Sequence, residues 1–302
     1  MSVTLRSYLY APGNRPELFE KAVASGADGV ILDLEDSVGS GEKTSAAQHV
    51  VDYLSDRETL PTDPPIWVRV NNRPGLLEDE LTALAGLERL AGISLPKVEG
   101  VAVLDRVNQL LPERVSVLGL IESASGLTAV AEIASHRRVH ILGLGEADLI
   151  SDLRMSPSPE RVELMAIRIN LVVASAAAKI DQPVGPAFID IRDEQGLERS
   201  TELLRRLGFG GRSAVHPNQL EIINRVFTPS ESEIEAAGEL IQSLTEESER
   251  ATAVFVDSQG KMVDEAVVRS ARHVLEVATR LGIVDTNLSG TNLGQHGRGS
   301  SG

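Results

Sequence analysis

The sequence predicts an α/β chain folded as a (β/α)8 TIM barrel with a small C-terminal helical appendage. Short apolar runs of β type alternate with longer stretches of helical periodicity. Eight such units fit a closed parallel barrel better than an open doubly wound sheet, which has fewer strands and a Gly-rich first turn. Past Pro229 the alternation gives way to charged helix.

The β-type runs are SYLY (7–10), VILDL (30–34), IWVRV (66–70), GISL (92–95), VSVLGLI (115–121), VHILGL (139–144), PAFID (186–190) and RSAV (212–215). Between them, PELFEKAVAS, VAVLDRVNQLL, GLTAVAEIAS and LERSTELLRRLG place apolar residues three and four apart with polar residues opposite, the pattern of crossover helices. The barrel is therefore assigned to residues 1–229 and the appendage to 230–284, with helices in ESEIEAAGELIQSL and EAVVRSARHVLEVATRL around a strand-like AVFVD. The appendage is too small to carry much core alone. The Gly/Ser-rich tail, 285–302, is expected to be disordered.

Composition narrows the function. The 302 residues, 42% hydrophobic, supply ample core. A formal net charge of -15 with no Lys/Arg run argues against nucleic acid and anionic membrane surfaces as partners. With no cysteine, disulfides, thiolate nucleophiles and Cys-based zinc sites are excluded. MSVTLRSYLY lacks the apolar core of a signal peptide and no run is long enough to span a membrane, so a cytoplasmic location is expected.

Barrel enzymes place their chemistry at the C-terminal ends of the strands. The polar residues there are Asn14 and Arg15; Asp33, Glu35 and Asp36; Arg69 and Asn71; Lys97; Glu122; Glu146 and Asp148; Asp190; and His216. Acids dominate. Glu122 and Asp148 follow consecutive strands, which neighbour each other in a barrel, and suit a hard divalent cation; magnesium, with manganese in its place, takes one or two carboxylates and keeps waters. Asp33, Glu35 and Asp36 would orient those waters.

RSYLYAPGNRPELFEKAVASGADGVILDLEDSV, WVRVN, LPKVE, LGLIESASGL, LGLGEADL and GFGGRSAVHPNQLEIINRVFTPS, in that order, resemble the HpcH/HpaI aldolase and citrate lyase β-subunit family from residue 6 to about 270. The resemblance implies a magnesium-dependent carbon-carbon lyase cleaving a 3-hydroxyacyl-CoA thioester (citryl-, citramalyl- or malyl-CoA), assembled as a homotrimer or dimer of trimers. By motif position Glu122 and Asp148 would be metal ligands, Arg69 a substrate-carboxylate clamp, and Asp264, in GKMVDEA, a catalytic aspartate delivered by the appendage to a neighbouring subunit. Asp33, Glu35, Asp36 and Lys97 would support the metal site from behind, and Arg15, Lys21 and Lys43 would anchor coenzyme A.

Two departures bear on substrate. KTSAA puts Ala47 where many relatives carry an arginine after the DLED loop, and GEADL moves the acid that relatives carry directly before the aspartate. Two other readings stand beside the lyase: a metal-dependent aldolase releasing pyruvate from a free 4-hydroxy-2-oxo acid, and a carrier-protein-dependent β-subunit of a citrate lyase complex. His216 reads as a structural residue of the last strand's turn. Lys97 reads as an ion-pair partner of the DLED acids, whose charge opposes the lowered pKa a Schiff-base lysine needs.

Overall fold

Each barrel strand sends alternate side chains to two different apolar environments, and this alternation builds the molecule's two main cores. The structure, a computed structural model, describes residues 5–56, 60–248, 255–256 and 262–284; the tail assigned to 285–302 lies outside them. The described residues fall into two compact units, divided between Phe227 and Thr228.

The first unit is a closed barrel of β1 (Ser7–Pro12), β2 (Gly29–Asp33), β3 (Ile66–Arg69), β4 (Leu90–Leu95), β5 (Ser116–Ile121), β6 (Val139–Leu144), β7 (Val184–Gly185) and β8 (Gly211–Ala214). All neighbours are parallel, and β8 closes on β1 with Tyr8 opposite Ser213. The helices are α1 (Phe19–Val23), α2 (Lys43–Asp56), α3 (Leu76–Leu84), α4 (Val101–Leu110), α5 (Ala124–Thr128), α6 (Val130–Ser135), α7 (Glu146–Asp152), α8 (Met165–Ala178), α9 (Glu194–Leu207) and α10 (Leu220–Phe227).

Tyr8, Ile31, Trp67, Leu118, Ile141 and Val184 fill the barrel interior, with Tyr8 and Trp67 edge to face at 6.0 Å. The large indole is accommodated by Gly92 on the adjacent strand, where a Cβ would lie 2.3 Å from the ring. Leu9, Val30, Leu32, Val68, Ile93 and Val117 point the other way into a separate core shared with Phe19, Val50, Leu81 and Leu104 of the surrounding helices. Each such aliphatic side chain, when fully buried, contributes roughly 1.5–3 kcal/mol.

One strand differs from the sequence reading. The seventh is only Val184–Gly185, not 186–190. Pro186 has no N–H to donate to a ladder, so pairing stops there and residues 186–189 leave the sheet as a loop.

The second unit pairs α11 (Glu231–Ser248) with α12 (Glu265–Arg280) around Ala237, Ala271 and Leu275, beside a two-stranded antiparallel ribbon, β9 (Phe255–Val256) and β10 (Met262–Val263). Among the described residues no helix is long and apolar enough to cross a membrane.

Candidate active site

Strand register brings the first part of the site together. Asp33, the last residue of β2, lies opposite Arg69, the last of β3. Arg69 donates from Nε to Asp33 Oδ1 at 2.6 Å and from Nη2 to Oδ2 at 2.7 Å, a bidentate pair. Both oxygens of Asp33 also accept backbone N–H groups, from Glu35 at 2.9 Å and Ser37 at 3.1 Å, which folds the DLED loop back over the strand end. Burial alone would raise the Asp33 pKa, but the Arg69 hydrogen bonds outweigh it and hold the carboxyl below its usual range.

Arg69 has further partners. Its Nη1 lies 3.1 Å from Glu35 and 3.5 Å from Asp36, and its guanidinium carbon sits 4.9 Å from the centre of the Tyr10 ring. The loop itself is tied down from below: Lys43 Nζ donates to the carbonyls of Leu34 and Glu35 at 2.8 and 2.5 Å, and Asn71 Nδ2 donates to Leu34 O at 2.8 Å. Asn71 is in turn held by Glu80 of α3, which accepts from its backbone N–H at 2.7 Å and from Nδ2 at 2.5 Å. Burial pushes the Glu80 pKa up to about 7.

Glu122, directly after β5, is buried. Its Oε2 accepts the backbone N–H of Lys97 at 3.1 Å. Lys97 adopts φ 50°, a left-handed conformation that costs an L residue about 1–2 kcal/mol. Its ammonium pairs with Glu35 at 2.7 Å, which raises the lysine pKa against the opposing effect of its partial burial and disfavours a neutral nucleophilic amine. Gly145 gives Glu122 its seat, because a Cβ there would lie 2.3 Å from Cγ of the glutamate. Burial, followed by the charge of Glu35, pushes the Glu122 pKa up to about 7, with Asp148 contributing in the same direction.

Glu122 and Asp148 line one cavity of about 580 Å³ with Asp33, Asp36, Arg69 and Tyr10. Asp148 is exposed, in the first turn of α7. A second charged cluster, of arginines around Glu146, adjoins the cavity. Glu146, buried, accepts from Arg168 Nε at 2.6 Å and from Arg161 Nη1 at 3.1 Å, so each of its oxygens is engaged by an arginine. Arg212 lies close enough to feel all three charges; its pKa is pushed down to about 9 chiefly by burial, with Glu146 opposing and Arg168 and Arg161 adding to the fall. Its donors go to neutral groups: Pro186 O at 2.9 Å, Ser200 Oγ at 3.1 Å and Thr201 Oγ1 at 2.9 Å.

The other sequence candidates lie elsewhere or act locally. Arg15 pairs with Glu17 on the exposed turn after β1, and Lys21 is exposed on α1; neither lines the cavity. Asp190 accepts the Arg192 N–H at 3.1 Å, and His216 Nδ1 accepts that of Asn218 at 3.2 Å, both turn-building contacts. Asp264, in the second unit, is the N-cap of α12; its Oδ1 accepts the N–H groups of Ala266 and Val267 at 2.9 and 3.0 Å.

Tyr10, Glu80, Arg161 and Arg168 were not picked out from the sequence. Arg168 left a readable signal, standing among the apolar residues Leu164, Ile167, Leu171 and Ala174, all buried on or beside α8. A charge at that spacing demands a buried partner.

Among the described residues no three His, Asp or Glu side chains enclose an ion by themselves. Two carboxylates do suit magnesium, which keeps several waters and is bound by few protein oxygens. Burial raises the Glu122 pKa, and the charges of Glu35 and Asp148 add to it; a cation between Glu122 and Asp148 would relieve that repulsion.

The sequence model of the HpcH/HpaI aldolase/citrate lyase family matches residues 6–217. A citrate lyase subunit beta from Leuconostoc mesenteroides subsp. cremoris is 30% identical, over 93% of this chain and 95% of its own length. A (3S)-malyl-CoA thioesterase from Cereibacter sphaeroides is 35% identical, over 90% and 94%. Among solved structures, the protein CitE from Mycobacterium tuberculosis in complex with magnesium, acetoacetate and coenzyme A superposes with a TM-score of 0.73 at 28% identity, covering 91% of this chain and 98% of that one.

Proposed function

The chain belongs to the HpcH/HpaI aldolase/citrate lyase family, and from that premise we propose that it is a magnesium-dependent carbon-carbon lyase cleaving a 3-hydroxyacyl-CoA thioester to acetyl-CoA and a 2-oxo acid. One observation carries the reading: Glu122 and Asp148, from consecutive strand ends, meet in one cavity beside Arg69. The CitE complex with magnesium and coenzyme A supports it.

Glu122 and Asp148 would hold the ion, with Glu35 and Asp36 oriented toward its waters. When bound, magnesium supplies Lewis acidity and a template for the substrate's hydroxyl and adjacent carboxylate. Retro-Claisen cleavage needs a base to take the hydroxyl proton. As the C–C bond breaks, its electron pair moves onto the thioester carbon fragment as an enolate, which is then protonated to the acetyl group. Asp264 of a neighbouring subunit is the proposed base, returning the proton to the enolate carbon. Arg69 would pair the substrate carboxylate or the developing enolate oxygen. Asp33 fixes its plane, so that its charge needs no reorientation as the enolate develops.

Arg15 and Lys21 are the proposed phosphate contacts for coenzyme A, while Lys43 contributes by holding the DLED loop. Assembly as a homotrimer or dimer of trimers, in the cytoplasm, completes the reading.

The test is a product assay on the purified chain with citryl-, citramalyl- and malyl-CoA, before and after chelation of magnesium. Acetyl-CoA with the matching 2-oxo acid, lost on chelation, is the expected result. The thioesterase relatives at 35% identity favour hydrolysis as a second reading. Malate and free coenzyme A from malyl-CoA would support it. Turnover only of a carrier-protein thioester would point to a β-subunit, and pyruvate release from a 4-hydroxy-2-oxo acid alone to an aldolase. Any of these without acetyl-CoA formation sinks the lyase reading.

A further inference from the structure

Among the described residues, two cations line the cavity, Arg69 and Arg161. The charge of Arg69 is answered by Asp33, Glu35 and Asp36, and its bidentate face is closed by Asp33. Arg161 is in a different state. It gives Glu146 one bond, from Nη1, and its side chain remains 47% exposed. Glu146 is shared with Arg168, which is 3% exposed, and Arg212 stands behind on neutral acceptors. Two guanidiniums therefore share one buried carboxylate, and only Arg161 of the two reaches the cavity surface. A half-exposed guanidinium in a concave wall, with one bond made and the rest of its donors open, attracts an anion.

The backbone holds Arg161 in that position. It adopts φ 52°, ψ 35°, which an arginine rarely takes, with its N–H donating to Ser158 O at 2.9 Å and its carbonyl accepting from Leu164 at 3.1 Å. Glu146 fixes one edge of the guanidinium and leaves the others for a ligand.

We infer that Arg161 anchors a second substrate carboxylate, one beyond the carboxylate beside the hydroxyl, and so selects acyl thioesters of tricarboxylic rather than dicarboxylic acids. The inference rests on the lyase reading and deepens it. A planar guanidinium with free N–H groups suits a carboxylate, and such a contact adds discrimination against an analogue that lacks it. Arg161 is a specificity residue in this account, and the cleavage step does not pass through it.

Two variants test it. Arg161→Gln removes the charge and keeps reach; Arg161→Gly suits the left-handed backbone and guards against misfolding. The first measurement is the ratio of kcat/KM for citryl-CoA over citramalyl-CoA. It should fall by about 10- to 100-fold in both variants, the loss typical of a hydrogen bond to a charged group. The second is calorimetric binding of oxaloacetate and of pyruvate to the magnesium-loaded protein, where the oxaloacetate preference should fall by a similar factor. An unchanged ratio in both measurements overturns the proposal. So does an equal loss for both thioesters with weaker coenzyme A binding, which would make Arg161 a phosphate contact. If the wild type cleaves no thioester, the lyase reading fails and the binding ratio alone decides the role of Arg161.

Discussion

Asp33 and Arg69 stand in register at the ends of neighbouring strands and share two parallel hydrogen bonds of 2.6 and 2.7 Å, both side chains largely withdrawn from water. The pair is the frame of the site. The carboxylate that gathers the guanidinium also gathers the backbone of the DLED loop, so one residue sets the positions of Arg69, Glu35 and Asp36 together.

Substitution should separate the two partners. Arg69→Lys keeps the charge, loses the fork, and is expected to fold while kcat/KM falls by about one to three orders of magnitude. Asp33→Ala leaves a buried guanidinium without its main partner and should lower unfolding free energy by roughly 3–5 kcal/mol. Denaturant unfolding alongside steady-state kinetics checks both. Near-normal turnover in a folded Arg69→Lys enzyme would make the arginine structural.

Magnesium binding should depend on Glu122. Calorimetric titration of metal-free protein is expected to show saturable binding, weakened strongly in Glu122→Ala. Magnesium should raise the wild-type Tm through binding to the folded state and leave the variant's unmoved. An equal rise in both proteins would place the ion elsewhere.

Glu80 predicts a pH dependence of stability. Burial raises its folded-state pKa to about 7, from an ordinary 4.5. The folded state therefore holds the proton more tightly than the unfolded chain. Stability is greatest below 4.5 on this account, falls as pH rises through the window between the two values, and levels off above 7, a change of up to roughly 3 kcal/mol. Glu80→Gln should flatten this part of the Tm profile. A slope unchanged in the variant would assign it to other groups.

Asp264 can be tested without disturbing its helix. Asn caps a helix as well as Asp does, so Asp264→Asn keeps the start of α12 and removes the base. Arg69→Ala and Asp264→Asn, each expected to be inactive alone, should recover activity when co-assembled, because some interfaces then combine an intact Arg69 with a neighbour's intact Asp264. Mixed oligomers as inactive as either parent would rule out sharing of the site.

Much of the barrel was legible because strands and helices announce themselves locally. VILDL, IWVRV and VHILGL carry their β character within a few residues, and the acids at their ends follow from the geometry of any such barrel. Glu122 and Asp148 entered the same cavity for that reason. The seventh strand was misplaced because PAFID looks apolar enough, while the proline that ends the ladder acts through a missing hydrogen bond.

The sequence by itself determined the order of the elements, the excess of acid at the strand ends and the absence of thiol chemistry. Tertiary structure alone decided which charge answers which. Arg69 meets Asp33 across 36 positions and Glu146 is claimed by arginines 15 and 22 residues later, while Lys97, read from the sequence as a partner of the DLED acids, pairs with Glu35 among them. Nothing in the local pattern separates Glu146, neutralised and structural, from Asp148 two residues on, exposed to the cavity. Periodicity reports which face of an element a residue occupies, a property of neighbours along the chain. The pairing of buried charges depends on distances of a few ångströms between segments that only the closed barrel brings together.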